Sequence, residues 1–209
     1  MQKAVTSQEM KAIEKAAADR GMPYLQMMEN AGRAAAEEII QAYRPEGKIV
    51  LTMVGKGNNG GDGLVAARLL SEADALVIIL LADGLPATED AKTNFARCQE
   101  LGIEILHYEP GVSDILFDGA DLIIDAIYGA GFHGALREPA ASACRAANRA
   151  EVKIAALDLP SGLNADTGDA APDAIQADLT VAFGRLKLAQ TQPEGLRLCG
   201  KLILADIGI

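Results

Sequence analysis

A glycine-rich segment, GKGNNGGDG at Gly55–Gly63, has the composition of a loop that binds a ligand through its backbone. It follows the apolar run Ile49–Val54 and leads into a second apolar segment, an order in which free N–H groups at a helix start can meet a ligand. The segment satisfies the pattern G-x-G-x-x-G, which alone is a weak signal. Asn58, Asn59 and Asp62 add side-chain oxygens where a dinucleotide-binding loop usually has small apolar residues. We therefore expect a site that holds its ligand with oxygens as well as with main chain.

Two further segments rich in turn residues also follow apolar runs. Tyr128–Gly134 comes after Leu122–Ile127, and Asp158–Gly168 comes after Ile154–Leu157. Ligands of open α/β sheets bind beyond the carboxyl ends of the strands, at the point where the strand order reverses. Because all three segments follow strands, we expect them at one edge of one sheet and around one site.

The elements that must position these segments are short apolar runs that alternate with helical patterns. Such alternation is typical of a parallel sheet with helices on both faces. Two helices precede the first strand, one at about Ser7–Arg20 with a capping box of Thr6 and Glu9, and one that ends near Pro45. We predict a single Rossmann-like α/β domain over residues 1–209, with a mostly parallel sheet. The predicted strands are Ile49–Val54, Ala75–Leu81, Ile103–His107, Leu122–Ile127, Ile154–Leu157, Leu179–Phe183 and Leu202–Ile207. The later predicted helices are near Gly63–Ser71, Thr88–Leu101 and Pro139–Asn148, with a less regular pattern at Val112–Gly119.

Composition and charge exclude several classes of function. The formal net charge of −10 argues against nucleic acid or an anionic membrane surface as the main partner. No apolar run approaches the about 20 residues that span a bilayer, and the N-terminus has neither an export signal nor an Arg-rich leader. Cys98, Cys144 and Cys199 have no metal-binding or redox spacing and are expected to be reduced core residues. We expect a soluble, cytoplasmic protein.

Five blocks of sequence occur together and in order: MMENAGRAAAE, VGKGNNGGDGLVAARLL, DAIYGAGFHGALREP, LDLPSGLNADTG and FGRLKLAQ. With these blocks the chain resembles the NAD(P)HX epimerases, the YjeF N-terminal domain family, from Met27 to the closing Asp206–Ile209. The resemblance implies an isomerase of nicotinamide nucleotide repair, which interconverts the R and S epimers of hydrated NADH and NADPH (NADHX and NADPHX). It also implies a homodimer with one K⁺ per subunit. Because the chain ends where a fused second domain would begin, we expect the dehydratase that consumes the S epimer to be a separate partner.

The same resemblance implies roles for individual residues. Asn59 in NNGGD, Asp125 at a strand end and Ser161 in PSG are the implied K⁺ ligands. Lys187 in FGRLK resembles a family position and is expected to contact a phosphate or to balance charge. The implied contacts to the hydrated nucleotide are Asn58, Asn59, Gly60, Gly61, Asp62, Gly129, Ala130, Gly131, Phe132, His133, Gly134, Ala135, Asp158 and Lys187.

Elementary chemistry supports these roles. Carboxylate, amide and hydroxyl oxygens are hard donors of the kind that a weakly polarising cation prefers. A cation near Asp125 would also offset the cost of burying a carboxylate. Asp158 is the candidate catalytic residue, because a positioned carboxyl group can protonate the ring hydroxyl and retrieve the proton when water adds to the other face.

Other interpretations of the same residues remain open at this point. The glycine segment could be only a tight turn, and Asp125 and PSGLNADTG could be only turn-forming residues. An ordinary nicotinamide dehydrogenase would use Asp83 for the ribose, although Asp62 would then add negative charge where the pyrophosphate rests. Asp62 could equally be the N-cap of the helix. The alternative function is a non-catalytic binding or scaffold module of the same fold, which needs no ion site beside an acid.

Overall fold

Seven apolar runs become the strands of one sheet within residues 3–209, which the computed structural model describes. The strands are β1 (Ile49–Val54), β2 (Leu76–Leu81), β3 (Glu104–His107), β4 (Leu122–Ala126), β5 (Lys153–Leu157), β6 (Leu179–Phe183) and β7 (Lys201–Ala205). They lie in the order β3-β2-β1-β4-β5-β6-β7, and every neighbouring pair is parallel. The predicted α/β fold with a parallel sheet is confirmed.

Helices cover both faces of this sheet. They are α1 (Ser7–Asp19), α2 (Tyr24–Tyr43), α3 (Asn58–Glu72), α4 (Glu89–Glu100), α5 (Ile115–Asp118), α6 (Ala140–Arg149) and α7 (Pro193–Cys199). Val50 and Val54 of β1 belong to a core shared with α2, α3 and α4, whereas Leu51 and Met53 belong to a core shared with α5 and α6. A sheet covered on both faces explains why the strands are continuous apolar runs. Within residues 3–209, none of the helices combines the length and the apolar character that a membrane crossing requires.

The first helix is fixed to the rest of the domain at its N-terminal end. Thr6 and Glu9 form the predicted capping box. Asp166, from the segment after β5, accepts hydrogen bonds from the backbone N–H of Ser7 at 2.6 Å and from its hydroxyl at 2.7 Å. Val5 pairs with the backbone around Lys187. These contacts hold α1 against the carboxyl ends of the strands.

The strand order reverses between β1 and β4, which are adjacent although they are not consecutive in the chain. The segments after β1, β4 and β5 therefore leave the same edge of three neighbouring strands. This is the topological switch point at which open α/β sheets bind ligands.

The glycine segment differs from the predicted loop, because α3 begins at Asn58 and includes most of it. None of its glycines has a positive φ, so the interpretation as a turn that needs positive φ is wrong. A Cβ on Gly60 would overlap the carbonyl oxygen of Gly55, and one on Gly63 would overlap Ala126 of β4. These glycines let the start of α3 pack directly on the strand ends. The N-cap of α3 is Gly57, so the N-cap interpretation of Asp62 is also wrong.

We expect Gly60→Ala to lower the free energy of unfolding by about 1 to 3 kcal/mol, the usual cost of overpacking a tight contact. Gly57→Ala is the matched control, because nothing lies within 4 Å of a Cβ at that position. It should cost less than about 1 kcal/mol, the difference between Gly and Ala at an N-cap. Urea unfolding of both variants measures the effects, and equal losses would contradict this explanation of the glycines.

Candidate active site

A cavity of about 440 Å³ lies at the carboxyl ends of β1, β4 and β5. The prediction that the three turn-rich segments share one edge of the sheet is confirmed, since all three contribute to its wall. The predicted contact residues in the wall are Asn58, Asn59, Asp62, Gly129, Ala130, Gly131, Phe132, Asp158 and Lys187.

Asp158 occupies the first position after β5 in an unusual backbone conformation, with φ at 64°. Its N–H donates to the carbonyl of Val181 at 2.8 Å, and its carbonyl accepts from the side-chain amide of Gln190 at 2.7 Å. A non-glycine residue in the left-handed region stores strain and is more frequent at functional sites. The backbone of Asp158 is therefore fixed from both sides in a conformation that aims its side chain at the cavity wall.

The Asp158 carboxylate forms a buried ion pair with Lys187. The Lys187 ammonium bonds to Asp158 Oδ1 and donates to the carbonyl of Phe183 at 3.0 Å. Asp158 Oδ2 accepts the N–H of Ala130 at 3.0 Å. Only 2% of the Lys187 side chain and 11% of the Asp158 side chain are exposed. Of the two roles expected for Lys187, these contacts correspond to charge balance.

Asp125 and Ser161 are in direct contact behind the cavity wall. Asp125 Oδ1 accepts the Ser161 hydroxyl at 2.6 Å, and Oδ2 accepts the Ser161 N–H at 2.7 Å. Both residues are fully buried. Burial raises the pKa of Asp125 to about 6, although the hydrogen bonds from Ser161 and Ile127 oppose the shift. Burial disfavours the ionised form of this carboxyl group, and a nearby cation would stabilise that form.

Asn59 lies next to Gly129 and close to Asp158. A Cβ on Gly129 would meet Asp158 Oδ2 at 3.0 Å and Asn59 Oδ1 at 3.2 Å. Both polar atoms of the Asn59 amide are buried without a hydrogen-bond partner in the part of the chain that the structure describes. A buried polar group without a partner is costly, so this amide is suited to a ligand or an ion that is bound there. Together with Asp125 and Ser161 it provides an amide, a carboxylate and a hydroxyl oxygen around the segment Ile127–Gly129.

These donors fit a hard, weakly polarising cation rather than a transition metal. Among residues 3–209, no group of three or more His, Cys, Asp or Glu side chains is arranged to hold a metal ion. The predicted set contains one carboxylate and two neutral oxygen donors, which are ligands that hard cations prefer.

Some of the predicted contact residues lie outside the cavity wall. Gly60 and Gly61 are buried in the packing of α3, where a Cβ on Gly61 would meet Met28. His133, Gly134 and Ala135 are exposed beyond the wall.

Several residues of the wall were not singled out as site residues from the sequence. Glu14 and Met10 of α1 line the cavity, and no local pattern in α1 indicates that this helix packs at the strand ends. Asp83 after β2, which was considered only for the dehydrogenase alternative, also lines the cavity, and its carboxylate lies 3.4 Å from Lys56 Nζ.

The segment after β5 contains residues of the candidate site and, further along the chain, a turn. Asn164 accepts the N–H groups of Asp166 and Thr167, which is the turn-stabilising geometry expected for such residues. Ser161 and Asp158, by contrast, bond across to the segment after β4. Asp166 and Thr167 therefore belong to the turn and do not line the cavity.

The chain is similar to known proteins at the levels of family, sequence and structure. Residues 24–189 match the family model described as YjeF-related protein N-terminus. The chain is 36% identical to the NAD(P)H-hydrate epimerase of Limosilactobacillus fermentum, over 98% of this chain and 97% of that protein. It is 39% identical to the bifunctional NAD(P)H-hydrate repair enzyme Nnr of Pyrobaculum aerophilum, over 98% of this chain but 42% of that enzyme. The chain thus spans about two fifths of the length of the bifunctional relatives it matches. The crystal structure of the yeast protein ynu0 matches with a TM-score of 0.81 and 26% identity, over 91% of this chain and 84% of that one.

Proposed function

Because the chain belongs to the YjeF-related protein N-terminus family, we propose that it is an NAD(P)H-hydrate epimerase that interconverts the R and S epimers of NADHX and NADPHX. The observation that carries the proposal is the buried Asp158–Lys187 pair in the wall of the cavity at the switch point. A scaffold module would have no use for a strained, charged group in such a cavity.

We assign the acid–base role to Asp158. The substrate carries a hydroxyl on a ring carbon next to the ring nitrogen, and protonation of that hydroxyl allows water to leave, because the nitrogen lone pair stabilises the resulting cation. Water then adds to the other face, and a carboxylate removes its extra proton. Asp158 suits this work because the Ala130 N–H and Lys187 hold its two oxygens in fixed directions.

We further propose that Asn59, Asp125 and Ser161 hold one K⁺ per subunit. The partnerless amide of Asn59 and the buried carboxylate of Asp125 support this assignment. When bound, the ion supplies positive charge at the strand ends, where an anionic nucleotide approaches.

We expect K⁺ to raise the Tm of the protein by several degrees relative to Li⁺ at equal ionic strength. A ligand at 100 times its Kd stabilises the folded state by about 2.7 kcal/mol. Asn59→Ala and Asp125→Asn should abolish the difference, whereas Asn148→Ala, which removes bonds to Ala174 and Gln176, should keep it. Thermal unfolding in the two salts measures the effect, and equal Tm values for the wild type would refute the K⁺ assignment.

We also propose a cellular location, an oligomeric state and a functional partner for this protein. Three free, buried cysteines fit a reducing compartment, and we propose that the protein acts in the cytoplasm. The homodimer is proposed from family resemblance alone, and light scattering of the purified protein tests it. A dehydratase is proposed as the functional partner that removes the S epimer.

The direct test of the reaction starts from a single purified epimer of NADHX or NADPHX. Chromatography should show the approach to the equilibrium R/S mixture accelerated by the protein. A rate equal to the spontaneous one with both nucleotides would refute the proposed function.

A further inference from the structure

The cavity contains more carboxyl groups than the role of Asp158 requires. Glu14 from α1, Asp62 from α3 and Asp158 from the segment after β5 all line it. One buried ammonium, that of Lys187, lies among them. Three acids from three separate elements therefore line one cavity.

The buried ammonium of Lys187 is paired with one of these acids, Asp158. Lys187 Nζ bonds to Asp158 and to the carbonyl of Phe183, which fixes its position. Within residues 3–209, no hydrogen bond stabilises the ionised form of Asp62. In this part of the chain, Asp158 is bonded to a cation and to an N–H donor, whereas Asp62 is bonded to neither.

The surroundings of Asp62 favour its protonated form. Burial raises the pKa of Asp62 well above its usual value, and the negative charges of Asp158 and Glu14 add to the shift, while Lys187 opposes it. Burial and Asp158 likewise raise the pKa of Glu14, which Lys187 and Lys11 oppose. The other charged groups in the wall are Lys56, Asp83 and Asp90. One cavity therefore combines an ion-paired carboxylate with a carboxyl group that tends to keep its proton, the arrangement by which enzymes separate a base from an acid.

We infer that Asp62 is a second acid–base residue, which acts on one face of the hydrated nicotinamide ring while Asp158 acts on the opposite face. The inference rests on the proposed epimerase function and adds a catalytic group to it. An epimerisation that removes water from one face and adds it to the other needs a proton donor on the first face and an acceptor on the second.

Every proton that is donated in the two-residue reaction is also returned. In one direction the Asp62 carboxyl group gives its proton to the ring hydroxyl, the C–O bond breaks with its electron pair on oxygen, and water leaves. The ring nitrogen shares its lone pair with the carbon. A water molecule on the opposite face forms the new C–O bond, and the Asp158 carboxylate takes its proton. Solvent returns one proton to Asp62 and removes one from Asp158, and the reverse reaction exchanges the two roles.

The test separates loss of the hydroxyl from inversion. Each pure epimer is incubated in ¹⁸O-water with wild type, Asp62→Asn or Asp158→Asn, and mass spectrometry of both epimers follows label uptake above the spontaneous rate. We expect each variant to lose R/S interconversion by at least about 100-fold. Each variant keeps one of the two acid–base carboxyl groups, that of Asp62 or that of Asp158. It should therefore still exchange the hydroxyl of one epimer with water, and the two variants should act on opposite epimers. A merely structural role for Asp62 would not produce this exchange without inversion.

Several results would overturn the inference. The first is interconversion of the epimers by Asp62→Asn at the wild-type rate. The second is hydroxyl exchange of the same epimer by both Asp62→Asn and Asp158→Asn. The third is hydroxyl exchange without inversion in Glu14→Gln and not in Asp62→Asn. Glu72→Gln is the control, because it removes a carboxylate from the same helix outside the cavity and should behave as wild type. A wild-type protein inactive on both epimers would refute the proposed function itself.

A second measurement applies even where Asp62→Asn does not fold. If one carboxyl group must be protonated and another ionised, the kcat/KM of the wild type falls at both low and high pH. A profile without the loss at high pH would contradict the role of Asp62.

Discussion

Asp158→Asn is expected to lower kcat for R/S interconversion by about 100- to 10,000-fold, the usual contribution of a positioned acid–base group. Asparagine has nearly the same shape, can still accept the Ala130 N–H, and tolerates the left-handed backbone that Asp158 adopts. It cannot take a proton from water. The nucleotide should therefore bind with nearly unchanged affinity while turnover is lost, as measured by chromatography of the epimers and by equilibrium binding.

The matched control for this variant is Asp169→Asn. Asp169 is an exposed carboxylate of the same segment, bonded to Thr167, and its replacement should leave both turnover and binding unchanged. Near-normal turnover in Asp158→Asn would remove Asp158 from the mechanism. Loss of nucleotide binding together with turnover would instead indicate that the residue shapes the cavity without handling a proton.

Lys187→Met is expected to lower the free energy of unfolding by about 3 to 5 kcal/mol, because it leaves the Asp158 carboxylate buried without its cation. Both side chains are almost fully covered, so solvent gives the remaining charge little compensation. Methionine fills a similar volume, which makes lost packing a minor part of the effect. Urea unfolding measures the change.

The double variant Asp158→Asn with Lys187→Met separates charge from packing. With both charges removed, much of the stability lost in Lys187→Met should return, and the double-mutant cycle should show a coupling of about 1 kcal/mol or more. If the losses of the two single variants simply add, the pair does not act as a buried ion pair. Activity should stay low in all three variants, because two of them replace Asp158 and Lys187→Met removes the ammonium that holds the Asp158 carboxylate.

The sheet was predictable from the sequence because its strands are covered on both faces. Leu122–Ala126 and Leu179–Phe183 carry almost no polar residue, and such runs have few other solutions in a chain of this composition. The helix α7 (Pro193–Cys199) and the short 3₁₀ helix Leu188–Thr191 were not predicted, since segments this short show no helical period. The start of α3 was misassigned as a loop because its glycines, read locally, indicate a turn, whereas they serve contacts with strands far away in the chain.

The candidate site was predictable where it follows strand ends. The segments containing Asn59, Gly129 and Asp158 meet because parallel strands bring their carboxyl ends to one edge. The contribution of α1 was not predictable, because it depends on Ser7 bonding to Asp166, a contact between residues 159 positions apart. The pairing of charges also depends on the three-dimensional arrangement. The sequence contains Lys187 and Asp158, but only the fold shows that they form a buried ion pair.

By the function proposed above, this protein makes both epimers of the hydrated nucleotide available to an enzyme that accepts one. The most direct measurement is chromatography of an R/S mixture of NADHX incubated with a dehydratase specific for the S epimer, with and without this protein. We predict that the R epimer persists with the dehydratase alone, apart from its slow spontaneous conversion, and that both epimers disappear when the wild-type protein is added but not when Asp158→Asn is added. Persistence of the R epimer in the presence of the wild-type protein would refute the proposed epimerase function.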